Sequence, residues 1–340
     1  YIAVMDSIEV IDKKSQRSTG EIPDLLKEAL SVSFDTNIGH DFIENSDDRF
    51  EFYHTEEEKL PFDLEYFNKV TKGGLPNKTL NICLAGTGVG KSLFMCHMAS
   101  ANLMMNKNVL YITLEMSEER IAERIDSNTL NIPMKDLPDL SKKLFDKKID
   151  KIAEKTKGRL IVKEYPPKTV TVRHIDAFIT KLKHKGFTPD IVVIDYINLI
   201  HPIAKNLNSY ESVKEIAEHL RALAFKYNLP IVSATQLNRG SFNTASPGME
   251  GISESIGLAA TCDVICSLWQ DEESRELGVI NMGMQKNRFG PNFGSAAFKC
   301  NYNTLTLKET NSDYFESDAN STEDSIKNAD RALNSLLDNE

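Results

Sequence analysis

The sequence predicts an α/β fold, a mostly parallel central sheet flanked by helices, over residues 61–310. Three observations predict it. Short apolar runs alternate with helical segments, the pattern of βαβ units. A glycine-rich turn, Gly86-Thr87-Gly88-Val89-Gly90, joins the first run to the first helix. A later run, Ile191-Val192-Val193-Ile194, ends on an acid, Asp195.

Taken in order, strand character falls at Leu80–Ala85, Val109–Leu114, Leu160–Val162, Ile191–Ile194 and Ile231–Ala234. Helical spacing falls between them, at Lys91–Met105, Ser117–Asn128, Val172–His184 and Val213–Tyr227. Four more strand-like runs follow at Val264–Trp269, Val279–Met284, Ala296–Cys300 and Thr304–Leu307. Asn301-Tyr302-Asn303 separates the last two as the turn of a hairpin. Upstream, Ile22, Leu25, Leu26, Ala29 and Leu30 have helical spacing. They predict a docking helix at about 22–31 inside a linker, residues 1–60, that is loop-like from 31 onward. A helix this short needs a surface to persist. Residues 311–340 read as an acidic tail, disordered when alone, that closes on helical spacing at Ala329, Leu333, Leu336 and Leu337.

Composition narrows the class. Hydrophobic residues make up 41% and charged residues 26% of 340, ordinary for a globular chain large enough to bury a core without staples. No apolar run approaches the length of a bilayer span, so no membrane partner is expected. The chain opens on Tyr1 without an initiator Met or the order of a signal peptide, as a piece of a longer protein would. Its five cysteines form no CxxC pair, which fits reduced thiols in a cytoplasm. The net charge is −10 and the isoelectric point about 5.3, which argues against a nucleic-acid partner at first sight. The tail, however, holds eight acids and two bases, leaving a net −4 for the rest. A mildly acidic body can still carry a basic stripe.

The chemistry lies at strand ends. The stretch Ala85, Gly86, Thr87, Gly88, Val89, Gly90, Lys91, Ser92 follows a strand and opens a helix, the context of a Walker A loop. Glycines let backbone N–H groups close on phosphate oxygens, and the helix N-terminus adds positive potential. Lys91 would reach the β- and γ-phosphates of ATP or GTP, and Ser92 would hold Mg²⁺. Ala85 stands where the usual motif has Gly. Asp195, at the carboxyl end of a buried strand, has the Walker B position on the Mg²⁺ shell; alone, such an Asp is more often a cap for the next turn. Glu115 ends the second strand, where an acid can polarise the attacking water; alone it reads as an exposed strand-end acid. Gln236, two residues past Ile231–Ala234, offers an amide to the γ-phosphate or is a plain loop residue.

Together, Ala85–Ser92, Tyr111-Ile112-Thr113-Leu114-Glu115-Met116, Asp195-Tyr196 and Ser233-Ala234-Thr235-Gln236-Leu237-Asn238-Arg239 resemble the C-terminal, RecA-like domain of DnaB-type hexameric replicative helicases. Ala at the first loop position is common in that family. Ile22–Phe42 and Asp63–Gly74 look like the linker of the primase-coupled helicases of large tailed phages, so the resemblance covers about 22–310. It implies a RecA-like P-loop NTPase that hydrolyses ATP or GTP with Mg²⁺ and moves 5′→3′ on single-stranded DNA as a homo-hexamer. Glu115 would be the general base and Gln236 the γ-phosphate sensor. Lys286 and Arg288 would reach into a neighbouring subunit's nucleotide, Arg288 as the arginine finger; without the resemblance they read as a solvated basic strand end. Two loops would face DNA. The first is about Ile200–Tyr210, with Lys205 and Asn206. The second is about Arg239–Gly257, with Arg239, Glu254 and Gly257, where Ser253 replaces the family's Arg. Primase and a helicase loader are the implied partners, and the host cytoplasm the implied compartment for a phage-encoded chain. The family's N-terminal helical collar has no counterpart before Ile22. Two rivals stay open: a RecA-type recombinase, and a nucleotide-switched ring that unwinds nothing.

Overall fold

Strands that are apolar at every position must be covered on both faces, and the computed structural model of the chain has this arrangement. It describes residues 41–55, 58–236, 256–290 and 294–310, together with Ser7, Ile8, 10–12 and Ile22. The chain divides into two compact units, Tyr1–Glu57 and Glu58–Glu340.

In the first unit, helix α1 spans Ser46–His54. Just before it, the Asp41 carboxylate accepts from the N–H groups of Ile43 and Glu44 at 2.9 and 2.8 Å. The sequence reading had loop here. The helix buries none of its residues, so no apolar stripe exists for periodicity to register. The expected docking helix at 22–31 lies, apart from Ile22, outside the described residues, as does the tail from 311.

The second unit opens on a small antiparallel pair, β1 (Lys59–Leu60) with β2 (Leu75–Pro76), around helix α2 (Glu65–Val70). A nine-stranded sheet follows. Strands β3 (Leu80–Ala85), β4 (Val109–Thr113), β5 (Leu160–Glu164), β6 (Ile191–Asp195), β7 (Ile231–Gln236) and β8 (Val264–Trp269) run parallel. Strands β9 (Val279–Asn287), β10 (Ser295–Asn301) and β11 (Thr306–Glu309) extend it antiparallel, in the order β11-β10-β9-β8-β3-β7-β6-β4-β5. The connecting helices are α3 (Lys91–Met104), α4 (Glu118–Leu130), α5 (Lys142–Lys155), α6 (Val172–His184), α7 (Ser209–Tyr227), α8 (Ile256–Thr261) and α9 (Glu272–Glu276). Among the described residues no helix is long and apolar enough to cross a membrane.

The two-residue repeat of a strand sends alternate side chains to opposite faces. On β3, Leu80, Ile82 and Leu84 enter one core cluster with residues of α6 and α7; Cys83 and Ala85 enter another with α3. All five cysteines are buried free thiols. Helix α7 begins four residues earlier than its apolar period suggests, because Asn208 and Glu211 form a capping box. The Asn208 side chain accepts from the Glu211 N–H at 2.9 Å, and the Glu211 carboxylate accepts from the Asn208 N–H at 3.0 Å. Helix α5 was not anticipated; like α1 it buries no residue. For the site, register matters most. Ala85 pairs with Gln236 and Thr113 with Asp195, so the carboxyl ends of β3, β4, β6 and β7 share one edge, where ligands of open α/β sheets bind.

Candidate functional site

The loop after β3 turns tightly enough to need glycine. Gly88 and Gly90 have φ of 78° and 117°, and a Cβ on Gly90 would meet the Ile280 Cδ1 at 2.9 Å. Gly90 is the N-cap of α3, and its carbonyl accepts from the Phe94 N–H at 2.8 Å. The free N–H groups of that first turn open toward an anion. The loop borders a cleft of about 410 Å³, whose lining includes Thr87, Lys91, Ser92, Glu115, Arg124 and Gln236.

Within the cleft the Lys91 Nζ lies 3.8 Å from the Glu115 Oε2 and 3.2 Å from the centre of the Tyr196 ring. Burial lowers the Lys91 pKa below the usual lysine value, against the opposing pull of Asp195 and Glu115. Glu115 is about half exposed, at 49%, and reaches water. The Gln236 amide donates to the Thr87 hydroxyl, tying β7 to the loop.

Asp195, at the end of β6, is fully buried. Its Oδ2 accepts from the Tyr111 hydroxyl at 3.2 Å, and that hydroxyl lies 3.8 Å from the Cys96 Sγ. Its Oδ1 is buried with no hydrogen-bond partner in the protein. An orphaned carboxylate oxygen is costly and asks for a donor or a cation. It and the Ser92 hydroxyl at the head of α3 are the hard oxygen ligands that would suit magnesium.

Lys286 and Arg288 are not brought to this cleft. Strand β9 runs antiparallel to β8, with Lys286 opposite Ile265, while β8 runs parallel to β3 with Leu268 beside Ala85. The two cations therefore lie at the amino end of the parallel strands, the far side of the sheet. The Lys286 Nζ donates to the Ala259 carbonyl at 2.5 Å and Arg288 to the Ala260 carbonyl at 3.3 Å. Asn287, pointing the other way, donates to the Val70 carbonyl at 2.6 Å. A buried Asp263 organises the group: its Oδ1 lies 3.0 Å from Arg221 and 3.4 Å from Arg288, and its Oδ2 accepts from the Leu80 N–H at 3.0 Å. Burial, then the Arg288 charge, lowers the Lys286 pKa.

Of the residues expected to face DNA, Lys205 and Asn206 are exposed on the loop after β6. The Glu215 carboxylate holds that loop by accepting from Ile203 and Ala204 at 3.0 and 2.8 Å. A hollow of about 760 Å³ beside it is lined partly by Arg173, His174, His201 and Lys205. Arg239 and Glu254 lie outside the described residues. Gly257, expected at the end of the second loop, belongs instead to helix α8. Sequence reasoning missed Arg124 and Tyr302, which line the cleft from α4 and from the β10–β11 turn. Arg124 lies nine residues past Glu115, on a helix whose period marks only its buried face; neither residue carried a motif.

Comparisons with known proteins give the family. Residues 60–306 match the model of the DnaB-like helicase C terminal domain. The chain is 38% identical over 284 residues to a DnaB-like replicative helicase of Enterobacteria phage T4, covering 82% of this chain and 60% of that protein. It is 29% identical over 202 residues to the replicative DNA helicase DnaB of Helicobacter pylori, 58% of this chain and 41% of that one. It thus spans about half the length of these curated relatives. In structure it is similar to a solved ATPase domain, with TM-score 0.70 at 18% identity, covering 80% of this chain and 99% of that one. It is also similar to a DnaB-like replicative helicase whose structure was described with its interactions with primase, with TM-score 0.70 at 17% identity, covering 90% and 74%. By its sequence and by this fold, the chain belongs to the DnaB-like helicase C-terminal domain family.

Proposed function

We propose that the chain is the nucleotide-driven motor of a ring-shaped replicative DNA helicase, hydrolysing ATP or GTP to move 5′→3′ along single-stranded DNA. The observation that carries this is convergence: β3, β4, β6 and β7, separated in sequence, bring Lys91, Glu115, Asp195 and Gln236 to one edge around a phosphate-binding loop. Lys91 and the N–H groups of the loop bind the β- and γ-phosphates. Glu115 takes the proton of the attacking water, and its exposure gives that water access. Gln236, held by Thr87, is placed to exchange that partner for a γ-phosphate oxygen. Ser92 and Asp195 would hold magnesium, which when bound neutralises charge on the transferring phosphoryl group.

Lys286 and Arg288 serve a neighbour's nucleotide. From the level of Val264 to that of Leu268 is about 13 Å along β8 at roughly 3.3 Å per residue, and Arg288 lies farther out, bonded to Asp263. Their own cleft is out of reach, which supports a ring in which each interface completes one site. Lys205 and Asn206, with the segment Arg239–Gly257, form the track for single-stranded DNA through phosphate contacts. Residues 1–60 form the linker, 61–310 the motor and 311–340 a detachable acidic tail. Primase and a loader are the partners that the resemblance implies, and the cytoplasm of a host is where a phage-borne motor of this kind would work.

Mixing tests the reading. Lys91→Ala has a dead loop and a usable finger; Arg288→Ala has the reverse. Each alone is expected to lose DNA-stimulated hydrolysis, and mixtures to regain a part of it. Verified subunit exchange without recovery would sink the ring assignment. Helical filaments in place of closed rings in electron micrographs would point to a recombinase. Hydrolysis indifferent to DNA would point to a nucleotide switch.

A further inference from the structure

We propose that Tyr111 is a positioning residue for the magnesium site, its phenol holding one oxygen of Asp195 so that the other faces the metal. This rests on the reading of the cleft as a magnesium–nucleotide site. Tyr111 sits inside β4, fully buried, among apolar residues that include Met95 and Val193. Packing alone would be served by a phenylalanine there, because a buried hydroxyl brings a cost unless it finds a partner. The partner is Asp195: the register sets Thr113 beside Asp195 and Tyr111 two residues back on the same face. The phenol lies 3.2 Å from the Asp195 Oδ2.

The direction of that bond follows from the carboxylate, which only accepts when ionised. The Cys96 thiol, on α3, donates to the Tyr111 oxygen at 3.8 Å. A phenol has one proton, and with its oxygen already accepting, that proton goes to the carboxylate. The carboxylate torsion of an aspartate is otherwise broad. Anchored at Oδ2, it leaves Oδ1 as the buried oxygen without a protein partner. One oxygen of the carboxylate is thus held by the protein, and the other would be left for the metal. Cys96 belongs to the helix that Lys91 and Ser92 open, so the chain from thiol to phenol to carboxylate also ties the two magnesium-binding elements together.

The test measures binding. Affinity of the whole chain for the fluorescent probe N-methylanthraniloyl-ADP is titrated with and without magnesium. Outer-shell partners of metal ligands are typically worth about 10–100-fold in metal affinity. Tyr111→Phe, which keeps the ring, should raise the half-saturating magnesium concentration by at least about 10-fold while leaving metal-free nucleotide affinity at the wild-type value. Cys96→Ala should move it less, in the same direction. An unchanged magnesium dependence in Tyr111→Phe overturns the proposal. So does an equal loss of metal-free affinity, or a variant that fails to fold, since either makes Tyr111 a packing residue. Lys91→Ala separates the underlying reading: if it binds the probe like wild type, the cleft assignment itself falls. If it loses the probe while Tyr111→Phe behaves as wild type, only the positioning role falls.

Discussion

The two ends of the parallel strands carry charge in opposite ways. At the carboxyl end, Lys91 lies 3.8 Å from Glu115 and feels the buried Asp195, and Arg124 lines the same cleft, two cations for two acids. At the amino end, Arg221, Lys286 and Arg288 gather around Asp263, with two of them paired to it directly. Three cations share one carboxylate, and two of them spend donors on the last carbonyls of α8, a helix end that favours positive charge. The carboxyl end has a buried oxygen of Asp195 without a protein partner, fit for a cation, and N–H groups fit for phosphate. The amino end has positive charge to spare. The contrast teaches that one copy of the chain carries unlike charge balances at the two ends of its strands, which the proposed ring would set against each other between neighbouring copies.

Four substitutions break or sharpen that contrast. The largest effect is expected from Arg288→Ala, with a fall of roughly 10³–10⁵ in DNA-stimulated turnover and unchanged nucleotide affinity of the isolated chain. A fall in affinity instead would place Arg288 at its own cleft and erase the distinction between the ends. Next, Glu115→Gln should lower turnover by about 10²–10⁴ and still bind nucleotide in equilibrium titration. Lost binding would make Glu115 a structural partner of Lys91. Asp263→Asn leaves a crowd of cations without their buried carboxylate. Denaturant unfolding should show a loss of about 3 kcal/mol, and a variant as stable as wild type would mean the cations hold themselves apart. The smallest effect is expected at the head of α7: Asn208→Ala removes half its capping box and should cost about 1 kcal/mol, with DNA-independent hydrolysis per folded chain unchanged.

Much of the fold was legible because its signals are local. β3, β8 and α6 sit where runs of Leu80–Ala85, Val264–Trp269 and Val172–His184 predict them. Elements that bury nothing, α1 and α5, were not read, since periodicity records a buried face and these helices have none. The start of α7 was readable in Asn208 and Glu211, a capping signal that its apolar period alone does not carry. The cleft was legible in its loop and strand ends. Arg124 and Tyr302 were not, because a helix face and a hairpin turn aim at the cleft only once α4 and β10 are packed.

By itself the sequence determined the strands, the glycine turn that must adopt positive φ, the acids and amide at strand ends, and through them the family. Local sterics and side-chain period suffice for those. Only the tertiary structure decided which strand lies beside which. Strand order places β7 and β6 between β3 and β4, and that order, set by burial across residues far apart in the chain, brings Glu115 to Lys91. The antiparallel turn of β9 against β8 carries Lys286 and Arg288 to the far end of the sheet. Register between β4 and β6 sets Tyr111 on Asp195. Strand order and register come from long-range packing, and a reading of one segment at a time holds no record of them.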